Sequence, residues 1–276
     1  MTTIGIVGPG RAGAGLAVAL KGVGYRVRLH GRRSRTVPAT IEFTCGGQPP
    51  WLEEVDALIL AVPDDALDEV ARQLARDGRV GSVPVVLHLS GVLDSSVLQP
   101  VADCGCAVGS LHPLQSLSDA DTAAARFRGA AAAIEGDARA VRLAVELAAA
   151  LDMTPLTVPS DAKPLYHAAA VFASNYLVVS AAMAQRLLER AGISSEAARA
   201  VLTPIIRGTV DNIVHNGAAG ALTGPVTRGD RATIRKHLDT LPPDEAVLYR
   251  ALARAALTVA RLEEGERESV ERELER

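Results

Sequence analysis

The stretch Ile4-Gly5-Ile6-Val7-Gly8-Pro9-Gly10-Arg11-Ala12-Gly13 decides how this chain is read. A short apolar run passes directly into Gly-x-Gly-x-x-Gly. Small and aliphatic residues follow from Ala14 to Leu20, a helix-compatible segment. Strand, tight turn and helix, in that order, hold a dinucleotide pyrophosphate. Gly8 lets the chain turn, and Gly10 lets the backbone approach the phosphates. Gly13 lets the helix pack closely on the strand. Pro9, Arg11 and Ala12 complete the loop. The helix N-terminus adds free N–H groups and a positive partial charge for an anion.

The 276 residues, 48% hydrophobic, suffice for one large or two ordinary domains. A net charge of -3 points away from nucleic acid and anionic membranes. Aromatic residues make up 3%, which argues against base stacking. No basic leader precedes the first strand, and no apolar run is expected to span a bilayer. Cys45, Cys104 and Cys106 are an odd, sparse set that fits a reducing cytoplasm. Cys104-Gly-Cys106 has the wrong spacing for a zinc knuckle and no second pair, so no metal site is expected.

Tyr25 to His30 reads as the second strand, followed by Gly31-Arg32-Arg33-Ser34-Arg35. An NAD site places an acidic residue near this strand end, to take the ribose hydroxyls. None is present. Arg32 and Arg33 stand where a 2′-phosphate would lie, with Ser34 as a further donor, so NADP(H) is the expected cofactor. A short strand is expected around Thr40–Phe43. Val55 to Val62 is a continuous apolar run, as in a strand buried on both faces of a parallel sheet. Its carboxyl end brings Val62 and Pro63 to the cofactor crevice, and Asp64 and Asp65 read as a helix N-cap and first-turn acids rather than catalysts.

Val83 to Leu89 is a further buried strand, with His88 a satisfied core histidine and Ser90 at its carboxyl end. Ser110 to Ser116 reads as a polar loop after a short strand, placing His112 at the crevice as a proton-exchanging group. Ala130–Ile134 and Thr154–Val158 are strands around a helix from Asp137 to Leu151. Residues 1–158 therefore read as a doubly wound, Rossmann-type α/β domain.

Residues 159–276 read as an all-helical domain for substrate and dimerisation. Ser160 resembles an N-cap, and Leu165 to Ala191 has no breaker before Gly192. This long helix is apolar on nearly all sides, which requires burial in a domain centre or a homodimer interface. Its polar residues are thus candidates for a site. Lys163, His167 and Ser174 share a face, and Asn175 lies about a quarter turn from His167. Later helices are expected over Ala197–Val214, Thr233–Leu241 and Asp244–Leu262, then a frayed, solvated helix from Arg261 to Arg276.

Three stretches carry a family resemblance. They are the glycine loop, Ser110–Ser116, and the pair formed by Lys163–Tyr176 and Leu222–Asp230. Together they resemble oxidoreductases with a Rossmann-like domain followed by the domain of unknown function 2520. The architecture is also similar to 6-phosphogluconate dehydrogenase, ketopantoate reductase, pyrroline-5-carboxylate reductase and 3-hydroxyacyl-CoA dehydrogenase. Ser90 and His112 resemble the serine and catalytic histidine of the hydroxyacyl enzymes. Lys163 resembles the lysine that opens the first long helix in the hydroxyacid and ketopantoate enzymes. One turn on, this chain has His167 where those enzymes have asparagine.

The expected activity is hydride transfer from NADPH to the carbonyl of a small 2-oxo acid of the ketopantoate kind. Lys163 or His112 would stabilise the forming alkoxide, with Ser90 and Asn175 orienting the carbonyl. Arg228 would hold the carboxylate, with His167 and Ser174 nearby. Two alternatives stand beside it: reduction of a cyclic imine, in which the lysine matters little, and a non-catalytic NADP-binding regulator.

Overall fold

The computed structural model describes residues 1–117 and 120–276. It divides into two compact units, Met1–Asn175 and Tyr176–Arg276. The division falls later than residue 158 because Lys163, at the start of the first long helix, is buried among side chains of the sheet.

The first unit runs β1 (Thr3–Val7), α1 (Arg11–Gly22), β2 (Arg26–Gly31), β3 (Glu42–Cys45), β4 (Ala57–Leu60), α2 (Asp64–Asp77) and β5 (Val85–His88). It continues α3 (Gln99–Ala102), β6 (Ala107–Leu114), α4 (Ala120–Arg126), β7 (Ala131–Gly136), α5 (Ala138–Ala150), β8 (Thr154–Thr157) and α6 (Lys163–Ala173). The described strands form one sheet in the order β3-β2-β1-β4-β5-β6-β7-β8. All pairs are parallel except β6 with β7. Apolar side chains of β4 alternate between two cores. Ala57 and Ile59 join a cluster with Leu16 and Leu147, whereas Leu58 and Leu60 join Leu67 and Leu74. Burial on both faces accounts for the continuous apolar run there. The order reverses between β1 and β4, so the cofactor crevice of such a sheet opens beyond their carboxyl ends.

Several expectations are corrected. The Ser110–Ser116 stretch is not a loop, because β6 continues to Leu114. Antiparallel β7 supplies its ladder, pairing His112 with Ala133. Asp64 and Asp65 lie in the first turn of α2, but Pro63 is the residue at the cap position. Ser160 does not cap a helix; its hydroxyl donates to Glu135. The long helix is broken at Ser174 (φ -120°, ψ -69°), which separates α6 from α7 (Asn175–Arg190).

The second unit holds most of α7, then α8 (Ser195–Ala221), α9 (Arg231–Thr240), α10 (Pro243–Val259) and α11 (Glu264–Leu274). Gly192, at φ +88°, ends α7 as expected. α8 outlasts Val214 and is interrupted at Gly217 (φ 68°, ψ 172°). The C-terminal segment is not a frayed, solvated helix. Val270 and Leu274 of α11 are fully buried, in a cluster with Ile234 and Leu257. Glu273 accepts two hydrogen bonds from Arg235, at 2.8 and 2.7 Å. The high charge of α11 obscures this i, i+4 apolar pair.

α7 has no buried residue, and α8 buries only Ala198. Val178, Ile205 and Val214 are 67%, 64% and 75% exposed, so the apolar helix expected to be buried is bare within one chain. By length and composition alone, Ser160–Arg190 is apolar enough to cross a membrane, contrary to the expectation that no run would be. Within that segment Lys163 is buried, and Ser174 divides α6 from α7.

Candidate active site

The glycine loop has the geometry its sequence predicts. Gly8 sits at φ +112°, and a Cβ there would lie 2.3 Å from the Ala61 carbonyl oxygen. A Cβ on Gly13 would lie 2.0 Å from the Gly8 oxygen and 2.8 Å from Ala61 Cβ. Both contacts exclude any side chain, so the loop packs directly on the residues that follow β4. Gly10 differs: a Cβ there would meet nothing within 4 Å. Space is open above it, where a pyrophosphate would approach. Gly10 precedes α1 with no side chain capping the helix and no acidic residue in its first turn, leaving the N–H groups to an anion. Arg11 and Ala12 open the helix, and Val62 and Pro63 continue from Ala61 beside the loop.

At the end of β2, a cavity of about 300 Å³ is lined by Pro9, Arg32, Arg33, Ser34 and Arg35. All three arginines are exposed. Gly31 lets Pro9 come this close, since a Cβ would lie 2.7 Å from Pro9 Cγ. The loop and the arginines thus share one site, and the donor set fits a phosphate beside the adenosine ribose. Behind it, buried His30 bonds Thr44 and Gly47 through its two ring nitrogens, both at 2.9 Å, and its carbonyl accepts from the Gly8 N–H.

His112 lies near the carboxyl end of β6, the end of the parallel strands at which the glycine loop follows β1. Its Nδ1 is 2.9 Å from the Tyr166 hydroxyl. Its ring meets those of Tyr166 and His167 edge to face, with centroids 5.6 and 5.9 Å away. Gly91 forms the floor between the two histidines. A Cβ there would lie 2.8 Å from His112 Nε2 and 2.6 Å from His167 Nδ1. His167 Nδ1 is buried and has no hydrogen-bond partner. Burial, then the charges of His167 and Lys163, push His112 down to about 4. His112 is therefore a neutral imidazole near pH 7. Burial pushes Tyr166 up to about 12, so its hydroxyl keeps its proton.

Lys163 is fully buried. Its Nζ donates to the Ser90 carbonyl (3.1 Å) and to Ser110 Oγ (2.7 Å), and lies 3.8 Å from Glu135. Burial lowers its pKa, and the Glu135 carboxylate opposes that shift. Ser90 Oγ accepts from the N–H groups of Val92 and Leu93, which shapes the turn after β5. His88 is a satisfied core histidine. Nδ1 accepts from the Ser90 N–H, Nε2 bonds the Asp94 carbonyl, and burial pushes it down to about 4.

The first unit thus gathers His112, His167, Ser90 and Lys163 into one connected group. Ser174 and Asn175 lie at the break between α6 and α7, with Asn175 exposed. Arg228 is in the second unit, exposed in a short 3₁₀ turn, Val226–Arg228. Sequence reading missed Tyr166 and Glu135. Glu135 carried a signal: it is a carboxylate at the end of the apolar run Ala130–Ile134, where a lone charge needs a buried partner.

Residues 1–113 match the family model of the Rossmann-like domain, and residues 130–256 match that of a domain of unknown function, DUF2520. Solved structures with the same fold include a Bacteroides fragilis protein provisionally assigned as an NADP oxidoreductase. It is 25% identical over 92% of this chain and 97% of its own, with a TM-score of 0.73. A Thermotoga maritima protein is 24% identical over 93% and 98%, with a TM-score of 0.72. A Streptomyces aurantiacus imine reductase is 17% identical over 98% of both chains, with a TM-score of 0.62. No curated protein matches the sequence. The chain belongs to the proteins that join a Rossmann-like domain to a domain of unknown function 2520.

Proposed function

We propose that this protein is an NADP(H)-dependent oxidoreductase that reduces a polarised double bond, C=O or C=N, in a small molecule. One observation carries the reading. The glycine loop with its arginine-lined cavity and the His112–Tyr166–His167 group lie in the same unit, at the carboxyl ends of the same sheet. The Bacteroides fragilis relative supports the cofactor assignment. Gly8, Pro9, Gly10, Arg11, Ala12 and Gly13 would hold the pyrophosphate, and Arg32, Arg33 and Ser34 the 2′-phosphate. Val62 and Pro63 would border the nicotinamide ribose. When bound, NADPH supplies the hydride.

His112 works as a neutral acid–base group. In the tautomer whose Nδ1 accepts from Tyr166, the imidazole proton sits on Nε2, on the side of Gly91. There it can hydrogen-bond a substrate oxygen or nitrogen as negative charge grows on it. Within this class we favour the carbonyl of a 2-oxo acid, with Ser174 and Asn175, at the end of α6, for its orientation. The burial of Lys163 favours the second reading, a cyclic imine, because the lysine is already committed to Ser90, Ser110 and Glu135.

The bare apolar faces of α7 and α8 would be covered by a second copy of the chain, giving a homodimer. Cys45, Cys104 and Cys106 are all free thiols, which suits the cytoplasm. The test is NADPH oxidation followed across a panel of 2-oxo acids and cyclic imines. Turnover that collapses in His112→Asn supports the reading. Tight NADPH binding without turnover on any member would instead mark a regulator.

A further inference from the structure

We infer that Glu135 is a positioning residue whose buried carboxylate, acting through Lys163, fixes α6 so that Tyr166 meets His112. The inference rests on the reading of His112 as the acid–base group.

Glu135 and Ser110 are paired residues on β7 and β6. Both carboxylate oxygens are used. Oε1 accepts from Ser110 Oγ at 2.6 Å, and Oε2 from Ser95 Oγ at 2.9 Å and Ser160 Oγ at 3.1 Å. Ser110 has one hydroxyl proton, which goes to Glu135, so its lone pair receives the Lys163 ammonium. The hydrogen bonds therefore run one way, from Lys163 to Ser110 to Glu135. A second Lys163 N–H reaches the Ser90 carbonyl, beside Gly91. A buried ammonium with only neutral acceptors would be strongly disfavoured, so Glu135 is what permits Lys163 to sit there.

Lys163 opens α6, and Tyr166 and His167 follow it by three and four residues. That spacing puts all three on one helix face. Pinning Lys163 into the sheet sets the rotation of α6 about its axis. The same rotation brings the Tyr166 hydroxyl to His112 Nδ1 and His167 against Gly91. Ser160, just before α6, is held by the same carboxylate. Glu135 touches neither His112 nor Tyr166 among the described contacts; its influence passes through the helix.

The test reads the His112 ring nitrogens by ¹⁵N NMR in the whole protein, without substrate or cofactor, so its failure is separable from failure of the reductase reading. Tyr166→Phe defines the signal of an unbonded Nδ1. Glu135→Gln is expected to move His112 Nδ1 by at least half of that displacement. The double variant should move it no further than Tyr166→Phe alone, and Glu135→Asp should restore part of it. A folded Glu135→Gln protein with wild-type His112 shifts overturns the inference, since loss of stability alone does not move a ring-nitrogen signal. If Glu135→Gln does not fold, Lys163→Met provides the same reading. It removes the ammonium through which Glu135 acts on α6 and leaves the Tyr166 and His112 side chains unaltered. A shift in the same direction supports the inference, and unchanged His112 signals overturn it.

Discussion

Two groups of cations in the first unit serve opposite ends. Arg32, Arg33 and Arg35 are exposed around an open cavity, and among the described ion pairs none joins them to a carboxylate. Lys163 is buried, with two hydrogen bonds and a carboxylate 3.8 Å away. The arginines leave their donors clear of any described ion pair, whereas the lysine spends two of its three donors on the fold. Residue type alone does not separate the two; the partners around each cation do. The same contrast distinguishes His112 from His88. Both are pushed down to about 4 by burial, but His88 has both nitrogens bonded inside the protein.

The largest effect should come from breaking the backbone half of the cofactor site. Gly13→Val would force a side chain into the Gly8 carbonyl, and NADPH affinity should fall by about 100-fold or more, or the domain should fail to fold. Arg32→Ala/Arg33→Ala should leave the fold intact. Losing charge-assisted bonds to a 2′-phosphate should weaken NADPH by roughly 100-fold and leave NADH nearly unchanged, as read by fluorescence titration. Tyr166→Phe should lower turnover on an identified substrate by about tenfold, and His112→Asn by about 100-fold, with NADPH affinity retained in each.

Acid stability sharpens the histidine comparison. His88 and His112 have folded values near 4, below the ordinary 6.5. The unfolded chain binds their protons first, so the stability they contribute is present above about 6.5 and is lost as pH falls towards 4. His112→Asn should flatten that part of a melting-temperature profile. Lower down, Arg235 holds Glu273 at about 2, against an ordinary 4.5. Its contribution is present above 4.5 and is lost as pH falls towards 2, so Glu273→Gln should flatten only that limb. In the second unit, Ile205→Glu/Val214→Glu on the bare face of α8 should convert the proposed dimer to monomer, as read by light scattering.

The cofactor half was legible in the sequence because backbone geometry imposes it. Gly8 and Gly13 stand where no side chain fits, and the arginines follow a strand end with no acid nearby. The other half depends on contacts between distant segments. Ser110, Glu135 and Lys163 meet only because β7 runs antiparallel to β6 and α6 returns to the sheet. Tyr166 reads as one more residue of an apolar helix, and only the fold brings its hydroxyl to His112. Helix ends were hidden for similar reasons. Nothing in Ala173-Ser174-Asn175 resembles a breaker, and the charges of α11 concealed Val270 and Leu274.

The most direct measurement of the central claim is NADPH oxidation by the wild-type protein and by His112→Asn, on a panel of 2-oxo acids and cyclic imines. NADPH affinity is measured on the same samples. The account predicts turnover with at least one class, a loss of about 100-fold in the variant, and unchanged NADPH binding. Full turnover in His112→Asn, or equal wild-type affinity for NADPH and NADH, would contradict it.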